Sequence, residues 1–164
     1  MRIVIGSDHA GFALKSKMSD VVRALGHDIL DVGAFNENPA DYPDFAEIVA
    51  HAITEGQSDR GVLFDGSGVG MTVAANKIPG IRACVCHDTC SARQGVEYDD
   101  LNILVIGSRI VGEKLAEELV KSFLGAQFSG AARHLRRLGK IIRYGVNKTG
   151  TLHQTQFVKQ LIVG

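Results

Sequence analysis

The sequence predicts an α/β domain built on a Rossmann-like, doubly wound parallel sheet of five strands. Two observations carry that expectation. Short apolar runs of strand length alternate with longer segments whose apolar residues recur every three or four positions. The short runs are unbroken and rich in β-branched residues, which suits strands covered on both faces, as in a parallel sheet flanked by helices.

The elements follow in order. RIVIG opens as the first strand, and Leu14, Met18, Val21, Val22 and Leu25 then mark one face of a helix that Gly26 is placed to stop. DILDVG is the second strand. Phe45, Ile48, Val49, Ala52 and Ile53 repeat the helical spacing before Gly56. GVLFDG is the third strand, followed by a helix near 70–78. IRACVC and a helix near 89–97 come next, then NILVIG and a helix near 112–124, with a last helix near 130–143. Residues 1–144 are read as one domain without internal repeat or linker. The weakly patterned remainder, 145–164, is read as a C-terminal tail.

Composition narrows the function. A chain of 164 residues is enough for one domain with a sizeable core. Eighteen basic residues balance eighteen acidic ones, so no global charge attracts nucleic acid or an anionic membrane. No run approaches the roughly 20 apolar residues of a membrane helix, and the opening MRIVIGSDHAG carries an acid too early for a signal peptide. A cytoplasmic protein is expected. The three cysteines, crowded into CVCHDTC, are too few and too irregular for a disulfide framework or a tetrahedral metal site. They are read as buried free thiols, with Cys84 and Cys86 on one strand face, and no metal is expected.

In a sheet of this kind, ligands bind beyond the carboxyl ends of the strands where strand order reverses. With the order 2-1-3-4-5, the loop Ser7-Asp8-His9-Ala10-Gly11 meets the loop Asp65-Gly66-Ser67-Gly68-Val69-Gly70. The second loop, GSGVG before a helix, offers backbone N–H groups to an anionic oxygen. No Lys-Ser/Thr follows, so it is not a Walker loop, and the GxGxG spacing is not the dinucleotide fingerprint. Asp65 at its lip is read either as a turn cap or as a base. Arg133 and Arg137, four apart on a helix, share one face as a pair gripping one phosphate would.

Taken in order over residues 1 to about 140, SDHAGFALK, DYPDFA, GSGVG with AANKIPGIRA, NILVIGSRIVG and ARHLRR resemble the ribose-5-phosphate isomerase B family, which includes galactose-6-phosphate isomerase subunits. The resemblance implies cofactor- and metal-independent aldose–ketose isomerisation of a sugar phosphate. It also implies a homodimer or dimer of dimers whose sites lie between subunits. By it, Asp8 and His9 handle the sugar ring and phosphate, and Tyr42 lies at the sugar. Ser67 and the backbone of Gly66, Gly68, Val69 and Gly70 form the enediolate hole. Arg109, Arg133 and Arg137 bind phosphate, one pair reaching from the partner chain.

The chain departs from that family at its acid–base positions. Asp65 stands where the family usually has a cysteine base, and Met71 where a subgroup has a glutamate. Tyr98 and Asp99 stand where a His-Asn pair opens the sugar ring. A carboxylate suffices to move a proton between adjacent carbons, as in triosephosphate isomerase, so Asp65 is read as the base and Tyr98 as the residue at the ring oxygen. Ribose 5-phosphate/ribulose 5-phosphate is the expected pair. Erythrose/erythrulose 4-phosphate, which needs no ring opener, is the alternative, along with a catalytically silent binding subunit.

Overall fold

The computed structural model describes residues 1–144, so the tail assigned to 145–164 lies outside the described residues. Five strands and six helices alternate: β1 Arg2–Ser7, α1 Phe12–Ala24, β2 Asp28–Asp31, α2 Tyr42–Thr54, β3 Arg60–Asp65, α3 Val69–Ala75, β4 Ala83–Val85, α4 Thr89–Asp99, β5 Ile103–Gly107, α5 Glu113–Gly125 and α6 Ala132–Tyr144. All strand pairs are parallel. The unbroken apolar runs are explained by what covers them. Ile3 and Ile5, Val62 and Phe64, and Leu104 and Ile106 face a core under α1, α4 and α5. Val4, Leu63, Ile103 and Val105 face a second core under α2 and α3. A strand with a period of two then needs an apolar residue at every position. Truncating a fully buried member such as Phe64 to Ala is worth about 3–5 kcal/mol.

The helix stops fall where expected. Gly26 and Gly56 both take positive φ, +80° and +74°, just past α1 and α2.

The strand order is β2-β1-β3-β5-β4, which corrects the expected 2-1-3-4-5. Both orders satisfy right-handed crossovers, so handedness alone does not choose between them. What distinguishes them is exposure: β4 has three residues, and Cys84 on it is exposed, as an edge strand permits and a central one does not. The thiols are corrected accordingly. Only Cys86 is buried, just beyond β4, while Cys84 and Cys90 are exposed. The swap leaves β1 beside β3 and brings β5 beside β3 as well, so three strand ends, not two, converge on one spot. No helix among the described residues is long and apolar enough to cross a membrane.

Candidate active site

Three loops meet at the carboxyl ends of β1, β3 and β5. Ser108, after β5, ties them together: its one hydroxyl hydrogen is shared between the Ala10 and Asp65 carbonyls, each 2.8 Å from Oγ, and its N–H donates to Asp65 O at 2.8 Å. The β1 and β3 loops are also in direct contact, since Asp8 N–H donates to Phe64 O at 3.1 Å. A Cβ on Gly11 would lie 2.3 Å from the Phe64 carbonyl oxygen, so only glycine permits that approach.

The glycine loop is held from beneath by Asp65, which is 4 % exposed. One carboxylate oxygen accepts the Gly68 N–H. The other lies 3.5 Å from the Met71 N–H. Ser67, exposed, accepts the Val69 N–H on its hydroxyl at 3.2 Å. Gly68 itself has φ +84° and is the N-cap of α3. Among the described residues, the N–H groups of Gly66, Ser67 and Gly70 have no protein partner. They are the donors left for a ligand oxygen. Asp65 therefore performs the capping role, and keeps one oxygen only weakly engaged.

Two side chains flank the loop. The ring of Tyr42, the first residue of α2, lies against Gly70, within 2.8–3.2 Å of where a Cβ would stand. The Arg109 guanidinium lies over Gly66 in the same way at 3.5 Å, and the Arg109 N–H donates to Gly66 O at 3.0 Å. Asp8 is buried and accepts the Gly11 N–H at 2.9 Å, capping its own loop. His9 Nδ1 is held against the backbone of Ala40, 3.2 Å from its nitrogen and 3.4 Å from its carbonyl oxygen. Asp8, His9, Tyr42, Asp65 to Gly70 and Arg109 thus form one constellation.

The remaining predicted residues form another, elsewhere. Tyr98 and Asp99 end α4, immediately before the start of β5, and Asp99 is exposed. The chain leading to α6 is fastened there, with Ser129 N–H donating to Glu97 O at 2.9 Å. Arg60, the first residue of β3, donates to Phe123 O and Ala126 O at 2.6 and 2.9 Å, placing the end of α5 at that same edge. Arg133 and Arg137 lie exposed on α6. This second constellation is at the amino ends of the strands. At about 3.3 Å per residue, the length of β3 alone separates the two by about 16 Å. A single chain does not bring them together.

Two further residues enter that sequence reasoning left without a role. His134, 2 % exposed, stacks on Tyr98 with ring centroids 4.3 Å apart. Arg133 Nε donates to its Nε2 at 3.0 Å, so the ring proton sits on Nδ1, facing Ser129 Oγ at 2.6 Å. Its place four residues before buried Leu138 on a basic helix was the available signal. Below it, the turn after α4 is pinned by Arg82, whose guanidinium pairs with Asp100 at 2.7 Å. Burial raises the Asp100 carboxyl above its ordinary range, and Arg82 opposes that. The other residue is Lys15, 1 % exposed, paired at 2.5 Å with Asp31 Oδ1, which also accepts the Gly33 N–H at 3.0 Å. Gly33 O in turn accepts the Ser7 N–H at 2.6 Å, and the Ala34 N–H donates back to Ser7 O at 2.7 Å. Lys15 so braces the segment that leads to Ala40 and Tyr42.

Residues 3–141 match the family model described as Ribose/Galactose Isomerase. The ribose-5-phosphate isomerase B of Escherichia coli is 41% identical over 140 residues, 85% of this chain and 93% of that one. The D-erythrulose-4-phosphate isomerase of Pectobacterium atrosepticum is 39% identical over 132 residues, 79% of this chain and 86% of that one. Among solved structures, the ribose-5-phosphate isomerase B of Clostridium thermocellum superposes with a TM-score of 0.86 at 44% identity, covering 88% of this chain and 97% of that one. A three-strand-end glycine loop on this fold, with the family match running through α6, makes the chain a member of the ribose/galactose isomerase family of sugar-phosphate isomerases.

Proposed function

We propose that the chain interconverts ribose 5-phosphate and ribulose 5-phosphate through an enediolate, with Asp65 as the base. The observation that carries this reading is the arrangement around the glycine loop: a carboxylate beneath it, free N–H groups of Gly66, Ser67 and Gly70 on it, and Arg109 and Tyr42 at its sides. On the open-chain aldose, the weakly engaged Asp65 oxygen takes the C2 proton. The C2–H electrons form the C1–C2 double bond and the C1 carbonyl becomes an oxyanion held by the loop donors. The same carboxyl returns the proton to C1, and the ketone forms at C2 as its hydroxyl proton passes to O1.

In this reading, each site is completed by a second copy of the chain. Arg133 and Arg137 then grip the phosphate of a substrate seated on the other chain's loop, and Tyr98 and Asp99 reach its sugar. Two features support it. The two constellations lie at opposite ends of one sheet, and apolar surface beside the loop is uncovered, at Val69 and Val73 one turn apart on α3 and at Ile110.

A second reading has one specific observation in its favour. Tyr98, the residue expected at the ring oxygen, has its ring packed on His134. Tyrosine as a residue type donates a hydrogen bond but shuttles protons less readily than histidine near neutrality, which favours a tetrose 4-phosphate that cannot close a stable ring. Turnover assays on four-, five- and six-carbon aldose phosphates with one preparation test both readings. No turnover on any of them would leave the chain a binding subunit.

A further inference from the structure

The cysteines take no part in the reaction above, and β4 places them in an unusual relation to it. On this edge strand, Val85 packs toward the core under α2 and α3. There its Cγ2 stands 2.4 Å from where a Cβ on Gly68 would be, so the strand presses directly on the glycine loop. Cys84 and Cys86 flank Val85. Cys86 is buried in the core under α4 and α5, and Cys84 is open to solvent at the sheet edge.

The two thiols are unlike. Cys86 Sγ lies 3.9 Å from the Cys84 carbonyl oxygen, and the Cys84 thiol lies 3.3 Å from the Val85 carbonyl oxygen. A hydrogen-bonding interaction with Cys86 brings the Cys84 thiol down to about 7, against burial. The same bond, with burial, pushes Cys86 up. One sulfur is therefore exposed with its thiol drawn below the ordinary range, and its neighbour is buried with its own pushed above it. An accessible thiolate beside a second thiol is the arrangement of an oxidation-sensitive site.

We propose that Cys84 is a site of oxidation by hydroperoxides, that Cys86 resolves it, and that the change is transmitted to the glycine loop through Val85. In the first step the Cys84 thiolate attacks one peroxide oxygen. The S–O bond forms, the O–O bond breaks, and the leaving hydroxide is protonated to water. The sulfur is oxidised to a sulfenic acid and the peroxide is reduced. In the second step the Cys86 sulfur displaces hydroxide from the Cys84 sulfur, and the thiol proton leaves with it as water. In sum, two thiols and one peroxide give one disulfide and two waters. Residues two apart on an extended strand have Cα atoms about 6.6 Å apart, at the upper end of the disulfide range. Closing the bond contracts β4 around Val85, and Gly68 has no slack to absorb the shift.

The test uses the full chain, hydrogen peroxide as the probe, and two kinds of readout. The peptide Ala83–Arg93 carries all three cysteines. Peroxide treatment is expected to leave it 2 Da lighter, with the bond mapped between Cys84 and Cys86. Isomerase activity on ribose 5-phosphate is expected to fall at least fivefold and to return with dithiothreitol. Cys84→Ser should keep basal activity and resist peroxide, and Cys90→Ser should behave as the parent. Iodoacetamide labelling of Cys84 should titrate with a midpoint near 7. Labelling near 9, a peptide unchanged in mass at peroxide doses that oxidise glutathione, or equal loss of activity in Cys84→Ser would each overturn the proposal. So would the mapped disulfide with activity intact. The activity arm rests on the isomerase reading; the mass and labelling arms do not, so the two failures are distinguishable.

Discussion

The Asp65 carboxylate accepts the Gly68 N–H through one oxygen, while its other oxygen stands 3.5 Å from the Met71 N–H. The first contact builds the loop that would hold an oxyanion. The second leaves lone pairs available for a proton. Under the proposed mechanism one side chain serves as cap and as base, and a single isosteric change separates the two roles.

Asp65→Asn keeps a carbonyl oxygen for the Gly68 N–H and loses the proton acceptor. Turnover is expected to fall about 10²–10⁴-fold with KM nearly unchanged, the usual scale for a general base. Asp65→Ala removes the cap as well and should cost a further 0.5–2 kcal/mol or so of stability. Steady-state kinetics and thermal melts on both variants check this. Near-parental turnover in Asp65→Asn would reduce Asp65 to a cap.

Gly68 is constrained twice, by φ +84° and by Val85 at 2.4 Å from a notional Cβ. Gly68→Ala should destabilise by about 2–4 kcal/mol, combining backbone strain of about 1 kcal/mol with overpacking of about 1–3 kcal/mol. In Gly68→Ala/Val85→Ala the overpacking part should be recovered and the strain part should remain. Urea denaturation of the four proteins in the cycle measures the split; strict additivity of the two changes would contradict the contact.

The separation of the two constellations makes a quantitative complementation test. Arg137→Ala alone should raise KM about 10–100-fold, the loss of a charge-assisted phosphate bond. Asp65→Asn and Arg137→Ala chains co-expressed in equal amounts should form about one-half mixed dimers, each with one intact site, and so recover about a quarter of parental activity. No recovery from purified mixed dimers would rule out sites shared in this way.

Much of this was legible in the sequence, and the failures have local causes. The alternation of apolar runs with helical spacing located every element, most clearly β1, β3 and β5, which are covered on both sides and must be apolar nearly throughout. The meeting of the β1 and β3 loops survived the wrong order of β4 and β5, because that swap happens on the far side of β3. The order itself was not readable from handedness, and the exposed Cys84 on a three-residue strand was a sign of an edge that was read instead as burial. The stacking of Tyr98 on His134 joins residues 36 positions apart through the α5–α6 connection, which no periodicity reports. Asp65 was readable as either cap or base, and the geometry keeps both chemistries in one side chain.

The last prediction concerns substrate length and turns on Tyr98. Pentose and hexose phosphates exist largely or partly as rings, so their isomerisation gains from a group that moves a proton between the anomeric hydroxyl and the ring oxygen. Histidine titrates near neutrality and suits that task, whereas tyrosine, ordinarily near 10, holds its proton. A tetrose 4-phosphate has its terminal hydroxyl esterified and closes no stable five-membered ring through it, so it arrives open. If Tyr98 is matched to such a substrate, Tyr98→Phe should change kcat/KM little for erythrose 4-phosphate. Tyr98→His should raise kcat/KM for ribose 5-phosphate severalfold, because His134 beside it at 4.3 Å can accept the new imidazole as a stacking partner. The parent enzyme decides between the substrates directly. A preference of tenfold or more for the pentose phosphate, about 1.4 kcal/mol in transition-state binding, establishes the ribose reading and means that another group, with Asp99 the nearest in sequence, opens the ring. The reverse preference establishes the tetrose.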